Sequence, residues 1–427
     1  MTKNTAWAFA GNTLYAASQW VVFVLLVKAL SPQEAGTFAY ATAVTGPIFV
    51  LTNVRLRNLL ATGIDTAGGF TDYLVARALT TITAVLISLC AGAMMSPGLG
   101  SFAIVGLMAL GRACDALSDI CHGLFQREFQ MRRAAIGLLV NGVVSVTLVT
   151  FVLVVSRSLV TATAAYATGS LVALCAWDLP GAARRRPAER PTSRGDRTLR
   201  GSTAAAARLI LTALPLGLSS ALGSVQANIP RYLITFSLGA ASLAKFAAIS
   251  YLPLVGHLIV NATSQAALPI LANDARTSDL DYRTRLGLLV FGTIAAGAAT
   301  LFLTFRYGGL ALTVIYGSDY ASHSSVLFWL AAATVVTFAS VFLGTGTTAR
   351  RRFKSQLFIS VVSLVVVGAC APPLVREFGL IGASWALFAG AAVEFSAYGF
   401  LTIRDLTSPA MAIPTVGPNP VAGGLTT

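Results

Sequence analysis

A dozen apolar stretches, each about long enough to cross a bilayer, follow one another through this chain with short polar breaks between them. A helix rises ~1.5 Å per residue against ~30 Å of hydrocarbon, so about twenty apolar residues span it. None of the stretches alternates with period two, which excludes a barrel of tilted strands. A mean hydropathy of +0.75 and a charged fraction of 11 % agree, and the expected fold class is an all-α polytopic membrane protein.

The spacing predicts helices over 7–28, 36–61, 72–94, 100–122, 135–155, 159–178, 207–230, 243–271, 286–305, 324–345, 355–375 and 377–402. The first runs past the length of a signal peptide and is expected to stay uncleaved. Basic residues crowd alternate loops: Arg127, Arg132 and Arg133; seven arginines between Arg184 and Arg200; Arg276, Arg283 and Arg285; Arg350 to Lys354; and Arg404. The loops between them hold single charges such as Lys28, Arg157 and Lys245. The positive-inside rule puts both termini in the cytoplasm and the chain in the cytoplasmic (inner) membrane. That bias also accounts for the net charge of +14, so no nucleic acid is expected as a partner. The five cysteines are scattered without metal-site spacing, and no metal or other cofactor is expected.

Four regions follow. Residues 1–178 form an N-terminal six-helix bundle, 179–206 a basic cytoplasmic linker, 207–405 a C-terminal six-helix bundle, and 406–427 a Pro- and Gly-rich tail expected to be disordered. The halves resemble each other. Residues 30–40 align with 238–248 at a shift of 208, bringing Gly36 over Ala244 and Phe38 over Phe246, with Pro47 and Pro253 a short way beyond. Six-plus-six repeats build a midplane cavity between two bundles that rock against each other.

A charge inside such a helix is costly, ~2.5–3.5 kcal/mol for an arginine at the centre, so its position carries information. Arg55 and Arg57 stand near the end of the second stretch. Two readings are open for them: contact with headgroups, or a polar cavity that receives an anion. At about 100° per residue they lie roughly 200° apart on one helix and cannot both point the same way. The fourth helix has the densest polar face, with Arg112, Asp115, Asp119, Gly123 and Gln126 on one stripe. Arg112 and Asp115 are expected to pair, leaving Asp119 as the spare acid; the group serves ion coupling or a structural ion pair. Arg77, Asp178 and Arg231 stand near helix ends, where lone charges commonly anchor at the interface. Glu394 has no obvious local partner and is expected to face the protein interior.

The stretches SPQEAGTFAYATAVTGPIF, VRLRNLLATGID, DYLVAR, DALSDICHGLFQRE, NIPRYLITFSLGAASLAKFAAISYL and SQAALPILA resemble the O-antigen-type flippases of lipid-linked oligosaccharides. That family shares a superfamily with multidrug and toxin extruders and with peptidoglycan-precursor flippases, which usually carry two further helices. The resemblance is collinear over most of residues 1–405. The matched positions are Arg57 in the LR pair, Tyr73 and Arg77 in DYxxxR, Ser118, Asp119, Gly123 and Gln126 in SDxxxGxxQ, and Asn228, Pro230 and Arg231 in NxPR. Arg55 falls where the family more often has an uncharged polar residue, which favours Arg57 as the functional arginine.

The resemblance implies a V-shaped alternating-access transporter, not an enzyme, that carries a polyprenyl-pyrophosphate-linked glycan for surface polysaccharide biosynthesis. Arg57, Arg77 and Tyr73 would then bind cargo on the cytoplasmic side and Arg231 on the outer side. It also implies coupling to H+ or Na+, contact with membrane lipids, and a polysaccharide polymerase and chain-length machinery as partners. Two alternatives stay in view. A cation-coupled drug exporter would favour interior carboxylates, yet interior arginines outnumber them here. A membrane-embedded glycosyltransferase or polymerase needs a substantial outer loop; the largest, 306–325, offers only Asp319 and His323.

Overall fold

The computed structural model describes residues 2–62, 69–95, 99–184, 199–350 and 352–407, and nearly all of them are helical. The first bundle contains α1 (Thr2–Ala29), α2 (Pro32–Thr52), α3 (Leu56–Thr62), α4 (Phe70–Met95), α5 (Leu99–Arg127), α6 (Met131–Ser156) and α7 (Leu159–Ala173). A π-helical turn, Leu174–Asp178, carries α7 into the short α8 (Leu179–Ala183). The second bundle contains α9 (Leu199–Leu238), α10 (Ala240–Tyr251), α11 (Leu254–Thr277), α12 (Asp279–Tyr316), α13 (Ser324–Ala349) and α14 (Phe353–Thr407). The expected linker lies outside the described residues between 185 and 198, with α8 and the start of α9 occupying its flanks; the expected tail lies outside them beyond 407.

Among the described residues, nine segments are long and apolar enough to cross a membrane. The last, 354–404, crosses twice, because the chain doubles back at Gly379. The backbone there takes φ +61°, a conformation that a residue without a Cβ adopts at no steric cost. With α9 and with α10 and α11 beside these segments, the helices are consistent with roughly twelve crossings. Large apolar side chains such as Ile82, Leu86, Val154, Phe291 and Phe302 face outwards, as lipid rather than water requires.

Local chemistry sets the element ends. Ser31 caps α2: its hydroxyl accepts from the Glu34 amide, the Glu34 carboxylate accepts from the Ser31 amide, and Pro32 occupies the first turn. Two expected continuous helices are broken. The stretch 243–271 divides at Pro253, which lacks the N–H that would continue the ladder. The stretch 36–61 divides at 53–55, where Val54 (φ +37°) and Arg55 (φ +52°) both adopt positive φ. Such backbone costs of order 1–3 kcal/mol per residue and persists only where its surroundings enforce it.

The bundles are pressed together at the end remote from the N-terminus. One apolar cluster there contains Phe23, Leu26 and Phe38 of the first bundle with Phe246, Ile249, Leu312 and Val375 of the second. Gly36 on α2 packs directly on the Ala240 carbonyl at the start of α10, so the two segments aligned at a shift of 208 residues meet face to face. Trp20 donates from Nε1 to the Tyr316 hydroxyl at 2.9 Å, and the Tyr232 hydroxyl donates to the Ala43 carbonyl at 2.7 Å, both across the interface. At the opposite end the bundles part around a cavity.

A side chain at position 36 would collide with Ala240, so Gly36→Val is expected to force the bundles apart at this end. In a background without the five cysteines, a cysteine at position 247, where Ala247 is buried, should be protected from maleimide in the parent and react several-fold faster alongside Gly36→Val. Equal rates would show that this contact does not hold the bundles together.

Candidate anion site between the bundles

The cavity encloses about 500 Å³ at the end that carries the N-terminus. Asn12, Asn53, Arg55, Arg57, Asn58, Asp119 and Gln126 line it from the first bundle, and Ser220 and Gln265 from the second. Two of the lining side chains are cationic and one is anionic, so the wall carries a net positive charge.

The break in α2 builds this wall. It turns the chain so that Arg57, in the first turn of α3, reaches α5. There Arg57 Nη1 donates to Asp119 Oδ1 at 3.1 Å and its Nε donates to Gln126 Oε1 at 3.3 Å. Gly123, between those two residues on the stripe, leaves room for the Arg57 stem: a Cβ there would lie 3.3 Å from Arg57 Cγ. Arg77 on α4 donates from Nη2 to Asp119 Oδ2 at 3.1 Å, so one carboxylate joins three helices. The other amino group of Arg77 donates to the Asn53 side-chain oxygen at 2.6 Å and to the Asn53 carbonyl at 3.2 Å, where the broken helix would otherwise lack a partner. Arg55 reaches across the cavity, and its Nε donates to the Ser220 hydroxyl at 2.7 Å.

Several expectations need correcting. Arg55 and Arg57 both face the cavity; the 200° argument assumed one helix, and the break removes that premise. Arg77 does not project into the cavity. It is fully buried behind Asp119, whereas Arg57 is 23 % and Asp119 30 % exposed. Tyr73 is buried too, in an apolar cluster with Leu56, Ile120 and Leu124. Arg112 and Asp115 form no ion pair. Asp115 accepts from Asn141 at 2.8 Å and from the Tyr15 hydroxyl at 3.3 Å, turned towards α6 and α1, while Arg112 turns to the Thr42 carbonyl of α2. Asp119, expected to be the spare acid, is the ion-paired one. A shared stripe puts residues on one side of a helix, but the neighbours decide which of them pair.

Arg231 lies elsewhere on the bundle interface. It donates to Asn228 one turn back on α9, at 3.3 Å, and Arg112 of the first bundle lies within electrostatic reach of it. Glu394 is half-buried near Ser363 and Gln226, which hydrogen-bond to each other at 2.9 Å. Asp178 is no interfacial anchor: it is buried against His122. Sequence reasoning missed Asn53, Asn58, Ser220 and Gln265, and only the polar pair Thr52-Asn53 inside an apolar stretch signals the first of them. No group of metal-ligating side chains occurs among the described residues.

Comparison with known proteins bears on what such an arrangement belongs to. The chain is 24 % identical over 388 residues to the capsular polysaccharide biosynthesis protein CapF of Staphylococcus aureus, covering 90 % of this chain and 94 % of CapF. Its fold matches the lipid II flippase MurJ in an inward closed conformation with a TM-score of 0.71 at 12 % identity, covering 93 % of this chain and 88 % of MurJ. It matches an inward-facing multidrug resistance MATE family transporter with a TM-score of 0.70 at 14 % identity, covering 92 % and 94 % of the two chains. The fold is therefore that of these alternating-access transporters. The family described as polysaccharide biosynthesis protein matches residues 1–274, well over half of the chain, and the protein belongs to that family.

Proposed function

We propose that the protein is a flippase that carries a polyprenyl-pyrophosphate-linked oligosaccharide across the cytoplasmic membrane for surface polysaccharide biosynthesis. The observation that carries this reading is the positively charged cavity wall, where Arg55 and Arg57 are opposed only by Asp119. A pyrophosphate and sugars cross hydrocarbon poorly while their lipid tail prefers it. A polar cavity between two bundles meets both needs. Arg57 suits the phosphate because a guanidinium offers paired donors to phosphate oxygens, and its exposure leaves it accessible. Arg77 is a positioning residue that orients Asp119 and holds the end of α2. The sign of the wall argues against a cationic drug as cargo, although the fold is shared with multidrug transporters.

With both termini in the cytoplasm, the cavity opens to the cytoplasm and the contact between Gly36 and Ala240 seals the outer side. That is the loading state of an alternating-access cycle. The energy source is proton or sodium coupling, and the flipped glycan passes to a polymerase and chain-length machinery. The orientation is checked by single-cysteine labelling in intact cells: position 318 is expected to react with an impermeant maleimide, and position 128 only after permeabilisation. The reverse pattern would invert the transport direction.

Cargo binding is tested in a flippase-deficient strain by staining surface glycan, with folded protein checked by fluorescence-detected size exclusion. Arg57→Ala is expected to leave the amount of folded protein unchanged and to lower export at least tenfold. Arg57→Lys, which keeps charge but not the fork, should also lose most export; normal export would reduce Arg57 to a headgroup contact.

Arg77→Ala should act differently, by lowering the yield of folded protein. Loss of the guanidinium strands the Asn53 oxygens and one oxygen of Asp119, and each buried polar group left without a partner costs ~1–3 kcal/mol. Parent-level folding of Arg77→Ala would remove its positioning role.

A further inference from the structure

The first bundle contains a second ionisable cluster that the cavity does not use. His122 on α5 and Asp178 in the π-helical turn are 56 residues apart in sequence, yet Nε2 of the histidine lies 3.0 Å from Oδ1 of the aspartate. Their side chains are only 4 % and 1 % exposed. Three features make this a built site. Gly137 on α6 is the floor beneath it: a Cβ there would come within 2.5 Å of Asp178 Oδ1 and 3.0 Å of His122 Nε2. Trp177 closes one side, held by a hydrogen bond from its Nε1 to the Arg133 carbonyl at 3.1 Å. The second oxygen of Asp178 is buried without a hydrogen-bond partner.

Burying a charge is expensive unless it is paired, and here the pairing depends on one proton. With imidazole neutral, the cluster holds one buried carboxylate charge. With imidazolium, that charge is matched at hydrogen-bond distance. The surrounding ionisable groups are few. Arg133 on α6 stacks over the rings of Phe125 and Trp177, at 5.5 and 5.4 Å, and Cys121 is the neighbour of His122 on α5. Asp119 lies one turn back on α5, engaged by Arg57 and Arg77. The π turn adds only the exposed Cys175, and α8 has no titratable side chain. Histidine is the one side chain that ordinarily changes charge near neutral pH.

We propose that His122 and Asp178 form a proton-binding site of the first bundle, separate from the cargo cavity. This rests on the transporter reading above and names the group through which proton coupling would act. The proton taken up resides on the imidazole, and the same proton is given back when the ion pair loosens. The position gives it leverage. Asp178 ends a π-helical turn, an irregularity that recurs at functional sites, and α8 follows it directly, packed on α5 with Gly181 against Arg133 of α6. Loading the site tightens the π turn and α8 on α5 and α6; unloading it leaves a buried negative charge that favours release.

Trp177 is a built-in reporter, since a protonated imidazole quenches nearby indole fluorescence. In full-length protein reconstituted in nanodiscs, with the other four tryptophans replaced by phenylalanine, emission is expected to change with pH in a single-proton transition. His122→Gln should abolish the transition. Asp178→Asn, which removes the carboxylate that pairs with the imidazolium, should shift or abolish it. Emission that is flat with pH, or a transition untouched by either substitution, would overturn the site. Export in the flippase-deficient strain separates binding from coupling. Compared at equal amounts of folded protein, His122→Gln and Asp178→Asn, the latter removing the buried charge itself, are each expected to lose at least tenfold in export; full export by either would show that the pair does not couple. Normal export by Arg57→Ala with the Trp177 transition intact would instead sink the cargo reading and leave the proton site standing.

Discussion

The Asp119 carboxylate is the joint on which the first bundle's cavity wall depends. It receives Arg57 from α3 and Arg77 from α4 while itself belonging to α5, so three helices are referenced to one pair of oxygen atoms. Arg77 then extends the reference to Asn53, at the point where α2 breaks. The two positive-φ residues, Val54 and Arg55, are held by this framework and by the burial of Val54, Leu56 and Leu60 against α5. A continuous second helix would carry Arg57 away from Asp119. The ion pair of Arg57 therefore depends on the strained turn.

How much of this was legible in the sequence follows from what each signal measures. Hydropathy and alternating loop charge report membrane crossings, and twelve passes with a hairpin near Gly379 could be read from them. They say nothing about a helix that breaks without Gly or Pro, so the stretch from Gly36 to Ala61 reads as one unit. The stripe on α5 was legible, and Asp119, Gly123 and Gln126 do share the face that meets Arg57. The pairing was not, because periodicity gives the side of a helix and not its neighbour. That is why Asp115, bound to Asn141 and Tyr15, was mistaken for an ion-pair partner of Arg112. Depth was equally hidden: Arg57 and Arg77 look alike in sequence, yet one faces the cavity and the other is fully buried. The contact between His122 and Asp178 crosses 56 residues, and no local pattern announces it.

The two ends of the molecule are built from different materials. Remote from the N-terminus, aromatic and aliphatic side chains of both bundles interlock, and the closest approach is made where Gly36 has no side chain to interpose. At the other end, polar groups from both bundles line a gap that the hydrogen bond from Arg55 to Ser220 crosses. Apolar packing is continuous at the first end, whereas at the second the packing of Val54, Leu56 and Leu60 on Leu209 and Ala213 of α9 runs beside a polar gap.

The ion pair of Asp119 also sets a ceiling on how tightly the cavity can grip. Any anion that reaches Arg57 meets a carboxylate already 3.1 Å from the same guanidinium and must share or displace it. The wall thus contains its own competitor, tethered at high local concentration. A carrier that held its passenger with unopposed arginines would load well and then stall. One that keeps a resident rival beside the binding group surrenders the passenger readily, because the vacated arginine is reclaimed at once. Turnover, rather than affinity, is what such a wall favours.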